Sequence, residues 1–295
     1  MIANLALWTL AQLTFAVAAA VAVGPQSARK ATAGLLVAAG LALPWLAPPV
    51  PLFRAGVTLL ALTVLIKTTL LLATPGPWTL RRRLWNVIAP FDVVRARPVT
   101  PGLDRRVLLA TILHTVLLAL AVLALLRLRA HTGFLHDVLR VLGGAVFVYT
   151  LVDVAAGAVT LVHRLAGVAV PVIQDHPVLS RSVAEFWSER WSREMGDWLR
   201  RLVFRPLRRR HPRLALLATF GVSAAIHAWL FLVPLGSGAA ISVTLFFLVQ
   251  GVVVLAEPPL RVSRWPEAPA RAWTVGVLVG SSPLFTDPML RGLGL

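Results

Sequence analysis

Eight stretches of almost uninterrupted apolar side chains, near residues 3–23, 31–48, 52–74, 106–126, 137–162, 214–234, 238–256 and 271–286, leave this chain of 295 residues little choice of architecture. Crossing hydrocarbon as a helix takes roughly 20 such residues, and only the second and last runs are short of comfortable. Backbone in lipid must satisfy its polar groups internally, and continuous rather than alternating apolarity selects helices over barrel strands. With 58% hydrophobic residues, 14% charged residues and a mean hydropathy of +0.79, too little polar surface remains for a water-soluble globule. The expected fold is all-α, a polytopic transmembrane helical bundle of about eight spans forming one domain over residues 1–295. The first run, from Ala3 to Val23, has neither a positive leading region nor a small-residue cleavage site, so it reads as a span and not as a removable signal.

The net charge of +17 would suit a nucleic-acid partner, but no reading motif accompanies it, and topology is a sufficient cause. With the N-terminus outside, the inner loops hold Arg29 and Lys30; Arg81, Arg82, Arg83, Arg95, Arg97, Arg105 and Arg106; the stretch from Arg164 to Arg213; and Arg261, Arg264 and Arg271. Arg54, Arg127, Arg129 and Arg291 stay outside. Lys30 and Lys67 are the sole lysines, an arginine bias that suggests a GC-rich bacterial genome and hence a bacterial inner membrane. Cysteine is absent, which excludes disulfides, thiolate metal sites and a cysteine nucleophile. His131, His136, His163, His176 and His211 fall in loops or near span ends without metal-ligand spacing, so no metal site is expected.

Two inner segments are too long to be plain connections. The first, Pro75 to Asp104, carries Trp78, three consecutive arginines from Arg81, Trp85 and Phe91, and reads as an interfacial helix followed by a proline-punctuated turn. The second runs from Gln174 to Pro212. In it Ser182 and Glu185 have the spacing of a capping box. Val183, Trp187, Trp191, Met195, Trp198 and Leu202 then recur at helical spacing, opposite Glu189, Arg193, Glu194, Asp197, Arg200 and Arg201. An amphipathic helix over 182–202 lying in the membrane interface is expected.

Ionisable side chains inside apolar runs are expensive and mark candidate sites. His227 follows the small residues of Gly221-Val-Ser-Ala-Ala-Ile and is the first candidate. Lys67 and His114 read as structural partners of neighbouring helices. Asp153 shares a helical face with Tyr149 and reads as lining a cavity.

The run Phe186-Trp187-Ser188-Glu189-Arg190-Trp191-Ser192 resembles the phenylalanine-tryptophan-x-x-arginine-tryptophan-asparagine motif of the wax-synthase branch of the membrane-bound O-acyltransferase (MBOAT) superfamily. In that family a basic stretch follows, here Leu202 to Leu207 with Arg205, and then a span with the active-site histidine after small residues, here Ser223-Ala-Ala-Ile-His227. Phe246 to Glu257 and Ser282 to Pro288 extend the similarity, which covers roughly residues 149–290. Ser192 departs from the family asparagine, and Ala228 from the acid that often follows the histidine.

The resemblance implies an enzyme that moves a fatty acyl group from acyl-CoA, a co-substrate and not a permanently bound cofactor, to the hydroxyl of a lipophilic acceptor such as a long-chain alcohol, diacylglycerol or sterol. His227 would be the general base, for which neutral imidazole has a suitable pKa. Ser192 would donate a hydrogen bond to the thioester oxygen. Phe186, Trp187, Arg190, Trp191, Arg205, Ser223 and Asp153 would bind substrate. Two other classes stay open: a transporter burying Lys67, Asp153 and His227, and an intramembrane serine protease built on Ser223. The first leaves the tryptophan-rich segment unexplained, and the second lacks the final glycine of the usual serine motif.

Overall fold

Every apolar run of the sequence falls on helix. The computed structural model describes residues 2–23, 27–73, 79–89, 91, 93–129 and 131–295. Its helices are α1 (Ile2–Ala22), α2 (Ser27–Leu46), α3 (Pro51–Ala73), α4 (Leu80–Ile88), α5 (Arg105–Leu128), α6 (Phe134–Leu165), α7 (Val183–Glu185), α8 (Arg193–Leu199), α9 (Arg205–Arg208), α10 (Pro212–Leu235), α11 (Ser237–Leu260), α12 (Glu267–Ser281) and α13 (Pro283–Leu293). Among them α3, α5, α6, α10 and α11 are long and apolar enough to cross a membrane, and Ala6–Ala22 and Lys30–Leu46 are shorter apolar helical segments. The run expected at 271–286 is divided between α12 and α13, because Pro283 has no amide hydrogen to continue α12 and instead starts a new helix.

The chain forms two compact units, Met1–Val94 with Ala225–Ile241, and Arg95–Ala224 with Ser242–Leu295. In the first, α1, α2 and α3 close around small side chains, Ala16, Ala19, Ala20 and Ala33, with Val64 and Leu71 beside them. Small residues let helix backbones approach where no hydrophobic force separates helix from lipid. The interfacial helix expected after Pro75 is α4, whose start is capped by the Thr79 hydroxyl accepting from the Arg82 amide at 3.3 Å. Trp78 lies outside the described residues. Arg83 donates to the carbonyls of Ala20, Val21 and Val23 at the end of α1, where unsatisfied carbonyls and the helix dipole favour a cation. Lys67 is buried and donates to the Phe91 carbonyl at 2.7 Å, while Asn86 donates to the Lys67 carbonyl at 3.3 Å. These bonds tie α3 to α4 and agree with a structural role for the lysine.

In the second unit α5 packs along α6. A Cβ at Gly157 would collide with the Thr111 side chain, and one at Gly143 would lie 3.2 Å from Leu125, so the two glycines set how closely the helices approach. Gly144 gives α13 the same access, with Thr286 Oγ1 3.0 Å from where its Cβ would be. Asp104 caps α5 by accepting from the amides of Arg106 and Val107. A short antiparallel pairing of β1 (Arg97–Pro98) with β2 (Val168–Ala169) closes the loops at that end.

The helix expected over 182–202 is not continuous. It is α7, a π-turn over Phe186–Arg190, a break at Trp191 and Ser192, α8, a second π-turn over Arg200–Phe204, and α9. The cause is local: Trp191 is extended at ψ 129° and Ser192 is left-handed at φ 42° and ψ 56°.

Candidate functional site

The motif stretch is a rigid turn assembled from backbone outward. At its start the Ser182 hydroxyl accepts from the Glu185 amide at 2.9 Å, one arm of the expected capping box. The other arm lands one residue early, with Glu185 Oε2 accepting from the Arg181 amide at 2.7 Å. The free amides left at this helix start go to Glu257, 74 residues away on α11: Val183 donates to Oε1 at 2.6 Å and Ala184 to Oε2 at 3.0 Å. Trp273 Nε1 adds a third donor at 3.1 Å, so this buried carboxylate is well solvated by protein. Glu257 was legible only as part of a similar run, and its partners were not.

The π-turn then places two rings of the motif face to face. The Trp191 amide reaches back five residues to the Phe186 carbonyl at 2.8 Å, and the Phe186 and Trp191 rings stack with centroids 5.3 Å apart and planes 17° apart. Trp187 points elsewhere, onto Phe220, Phe246 and Phe247 at centroid distances of 6.3, 6.1 and 5.7 Å. Its indole donates to Gln250 at 3.2 Å, and Gln250 donates to Ser281 at 2.8 Å. Arg190, expected to bind substrate, is engaged by the protein, with Nε donating to Glu185 Oε1 at 2.6 Å and Nη1 to the Asp175 carbonyl at 3.1 Å. Burial works to raise the Glu185 carboxyl, but the Arg181 amide, the Arg190 hydrogen bond and the charges of both arginines outweigh it and hold the group below the ordinary carboxylate range.

Ser192 ends this turn. Its amide donates to Gln174 Oε1 at 3.1 Å, and its hydroxyl makes no hydrogen bond among the described residues. The same Gln174 holds its Nε2 buried and without a partner, an amide donor that the sequence alone gave no reason to notice. Left-handed backbone is the conformation that asparagine tolerates best among residues with a side chain beyond Cβ, which gives the family asparagine a backbone reason at this position.

Asp153, on α6, is joined to the motif through rings. Tyr149 lies 6.2 Å from Trp191, and His114 packs edge-on to Tyr149 at 5.9 Å. His114 Nδ1 is 3.4 Å from Asp153 Oδ2. Farther along, Arg201, Arg205, Pro206, Arg208 and Arg209 line a cleft of about 370 Å³. These arginines recur at positions that share one helical face. Ser223 and His227 both lie on α10, four residues apart and so on one face of that helix; Ser223 is buried and His227 half-buried.

Residues 170–249 match a family described as membrane bound O-acyl transferase. Three proteins of Arabidopsis thaliana are similar to part of the chain. Probable long-chain-alcohol O-fatty-acyltransferase 2 is 34% identical over 155 residues, 48% of this chain and 45% of its own length. Probable long-chain-alcohol O-fatty-acyltransferase 3 is 34% identical over 138 residues, 40% of this chain and 39% of its own. Probable long-chain-alcohol O-fatty-acyltransferase 1 is 30% identical over 131 residues, 41% and 38% respectively. The similarity thus spans under half the length of each of these relatives.

Proposed function

We propose, from the chain's membership of the membrane-bound O-acyltransferase superfamily in its wax-synthase-like branch, that it transfers a fatty acyl group from acyl-CoA to the hydroxyl of a lipophilic alcohol within the membrane. His227 takes the hydroxyl proton as the alcohol oxygen attacks the thioester carbonyl; the new C–O bond forms, the C–S bond breaks, and the imidazolium returns its proton to the departing thiolate. Ser192 donates to the oxygen on which charge develops. The stacked Phe186 and Trp191 and the neighbouring Trp187 give the acyl chain an apolar wall, with Arg190 and Glu185 bracing the turn and Ser223 one helical turn from the base. The arginine cleft that includes Arg205 suits the phosphates of the donor, which arrives from the cytoplasmic side, while the acceptor arrives through lipid. A long-chain alcohol is favoured over diacylglycerol or sterol by the names of the similar proteins. The arginine-rich, lysine-poor composition supports a bacterial inner membrane as the location.

One observation carries this proposal: the stretch that matches the family, 170–249, is the stretch whose aromatic motif folds into a braced, ring-stacked turn beside an arginine cleft. Purified protein in liposomes, given labelled palmitoyl-CoA and hexadecanol, should form hexadecyl palmitate and release free CoA in equal amounts. Ester formation no faster than in empty liposomes, together with solute flux through the same vesicles, would replace the acyltransferase with a transporter.

A further inference from the structure

A carboxylate and an imidazole meet where both are most expensive to bury, midway along α5 and α6. The Asp153 side chain is 9% exposed, and its Oδ1 is buried without a hydrogen-bond partner. Its Oδ2 lies 3.4 Å from His114 Nδ1. An imidazole whose Nδ1 faces a carboxylate keeps its proton there and leaves Nε2 as an acceptor. His114 is 24% exposed, and its Nε2 has no hydrogen-bond partner among the described residues. The contact of Gly157 with Thr111 holds α5 against α6 close by, one helical turn from Asp153 and one from His114. Around the pair α5 is clothed in exposed Leu109, Ile112, Leu113 and Val116, a surface for hydrocarbon.

We propose that the His114–Asp153 pair is a holding site for the hydroxyl of a long-chain alcohol, occupied before the transfer step, with His114 Nε2 accepting the hydrogen bond from the alcohol O–H and the hydrocarbon tail lying among the apolar side chains of α5. The proposal rests on the acyltransferase reading for the alcohol's fate, but the binding itself does not require turnover. Three features favour a hydroxyl over other ligands. The pair offers an acceptor and no free cation, so it rejects carboxylates and phosphates. The exposed surface of α5 around the pair is apolar, which suits a hydrocarbon tail behind the hydroxyl. Tyr149 lies edge-on to this imidazole and tilted against Trp191, so an alcohol held here abuts the motif turn.

The test uses the full-length protein in nanodiscs with a photoreactive long-chain alcohol, competed by hexadecanol or by hexadecyl methyl ether, which has the same chain and cannot donate. Hexadecanol should suppress labelling and the ether should not. His114→Phe keeps the ring beside Tyr149 and removes the nitrogen, and Asp153→Asn keeps the shape and removes the charge that fixes the tautomer. Each should weaken labelling, and raise the alcohol KM roughly tenfold or more, with the acyl-CoA KM unchanged. Equal competition by the ether, or wild-type labelling of a folded His114→Phe protein, would overturn the proposal. Should Asp153→Asn fail to fold, the His114→Phe and competitor results decide alone. A protein that makes no ester yet binds the alcohol with this dependence would refute the acyltransferase reading and keep the site.

Discussion

The Phe186 and Trp191 rings lie almost parallel, 5.3 Å apart, because the backbone between them winds one π-turn closed by the Trp191 amide on the Phe186 carbonyl. In an α-helix residues five apart diverge around the axis; the wider π-turn brings them into register. Such turns occur mostly as single insertions in helices and often at functional sites. The stack presents Ser192 at its end, where the chain turns left-handed before α8 begins.

Ser192 combines a strained backbone with an unengaged hydroxyl, and substitutions separate the two. Ser192→Asn should raise the melting temperature and keep activity, because asparagine accepts left-handed φ more readily. Ser192→Gly relieves the strain as well but removes the donor, and should lower kcat about 10- to 100-fold with little change in the acyl-CoA KM. A fully active glycine variant would show that only the backbone matters at this position.

His227→Ala should reduce ester formation by roughly 10² to 10⁴, the usual contribution of a general base, with unchanged expression and thermal stability. Retention of more than about a tenth of wild-type turnover would move the proton-accepting role to another group.

Glu257→Gln replaces a carboxylate that receives three N–H donors with a group that has one acceptor oxygen and turns an N–H toward the rest. The expected cost is about 1–3 kcal/mol, read as a lower melting temperature in nanodiscs. Activity should fall with it, since the start of the motif turn loses its anchor. An unchanged melting temperature would mean that the Val183 and Ala184 amides find other acceptors.

The Glu185–Arg190 bridge should make the turn acid-sensitive. The Glu185 carboxyl is held below its ordinary value in the folded protein, so its contribution is complete above the unfolded pKa and fades as pH falls through the folded one. Glu185→Gln should therefore melt lower than wild type near pH 7, and the difference should shrink as the pH is brought below about 4. A gap that stays constant with pH would assign the stabilisation to packing alone.

Neutralising Arg205, Arg208 and Arg209 together should raise the KM for acyl-CoA roughly tenfold and flatten its dependence on salt, because guanidinium–phosphate attraction is screened by ions. The alcohol KM should stay the same. Unaltered donor kinetics with inverted or poor insertion would leave these arginines as topology signals only.

How far the sequence reveals this molecule depends on the range of the interaction. Helices follow from apolar run length, and the Ser182 cap from a three-residue spacing, so both were readable; of the eight expected spans, five fall on described helices long and apolar enough to cross a membrane. The break at Ser192 was hidden because the periodicity of Val183, Trp187, Trp191 and Met195 passes through it undisturbed; the sole hint was a family asparagine, a residue suited to left-handed backbone. His114 was readable as a partner of a neighbouring helix and Asp153 as lining a cavity, but their pairing was not, because it joins two helices at a register fixed by Gly157 and Thr111. Gln174 and Glu257 act across 18 and 74 residues respectively, and no local pattern encodes either contact.

The bond between Val183 and Glu257 also sets a timetable. At synthesis rates of about 5–20 residues per second, the carboxylate leaves the ribosome roughly 4 to 15 s after the amide it receives, and it must still enter the membrane with α11. Until then the motif turn has an open helix start. A nascent or truncated chain ending before Glu257 therefore carries every residue of the aromatic motif without the clasp that holds its first amides, so the shape of the turn is withheld until α11 is almost complete.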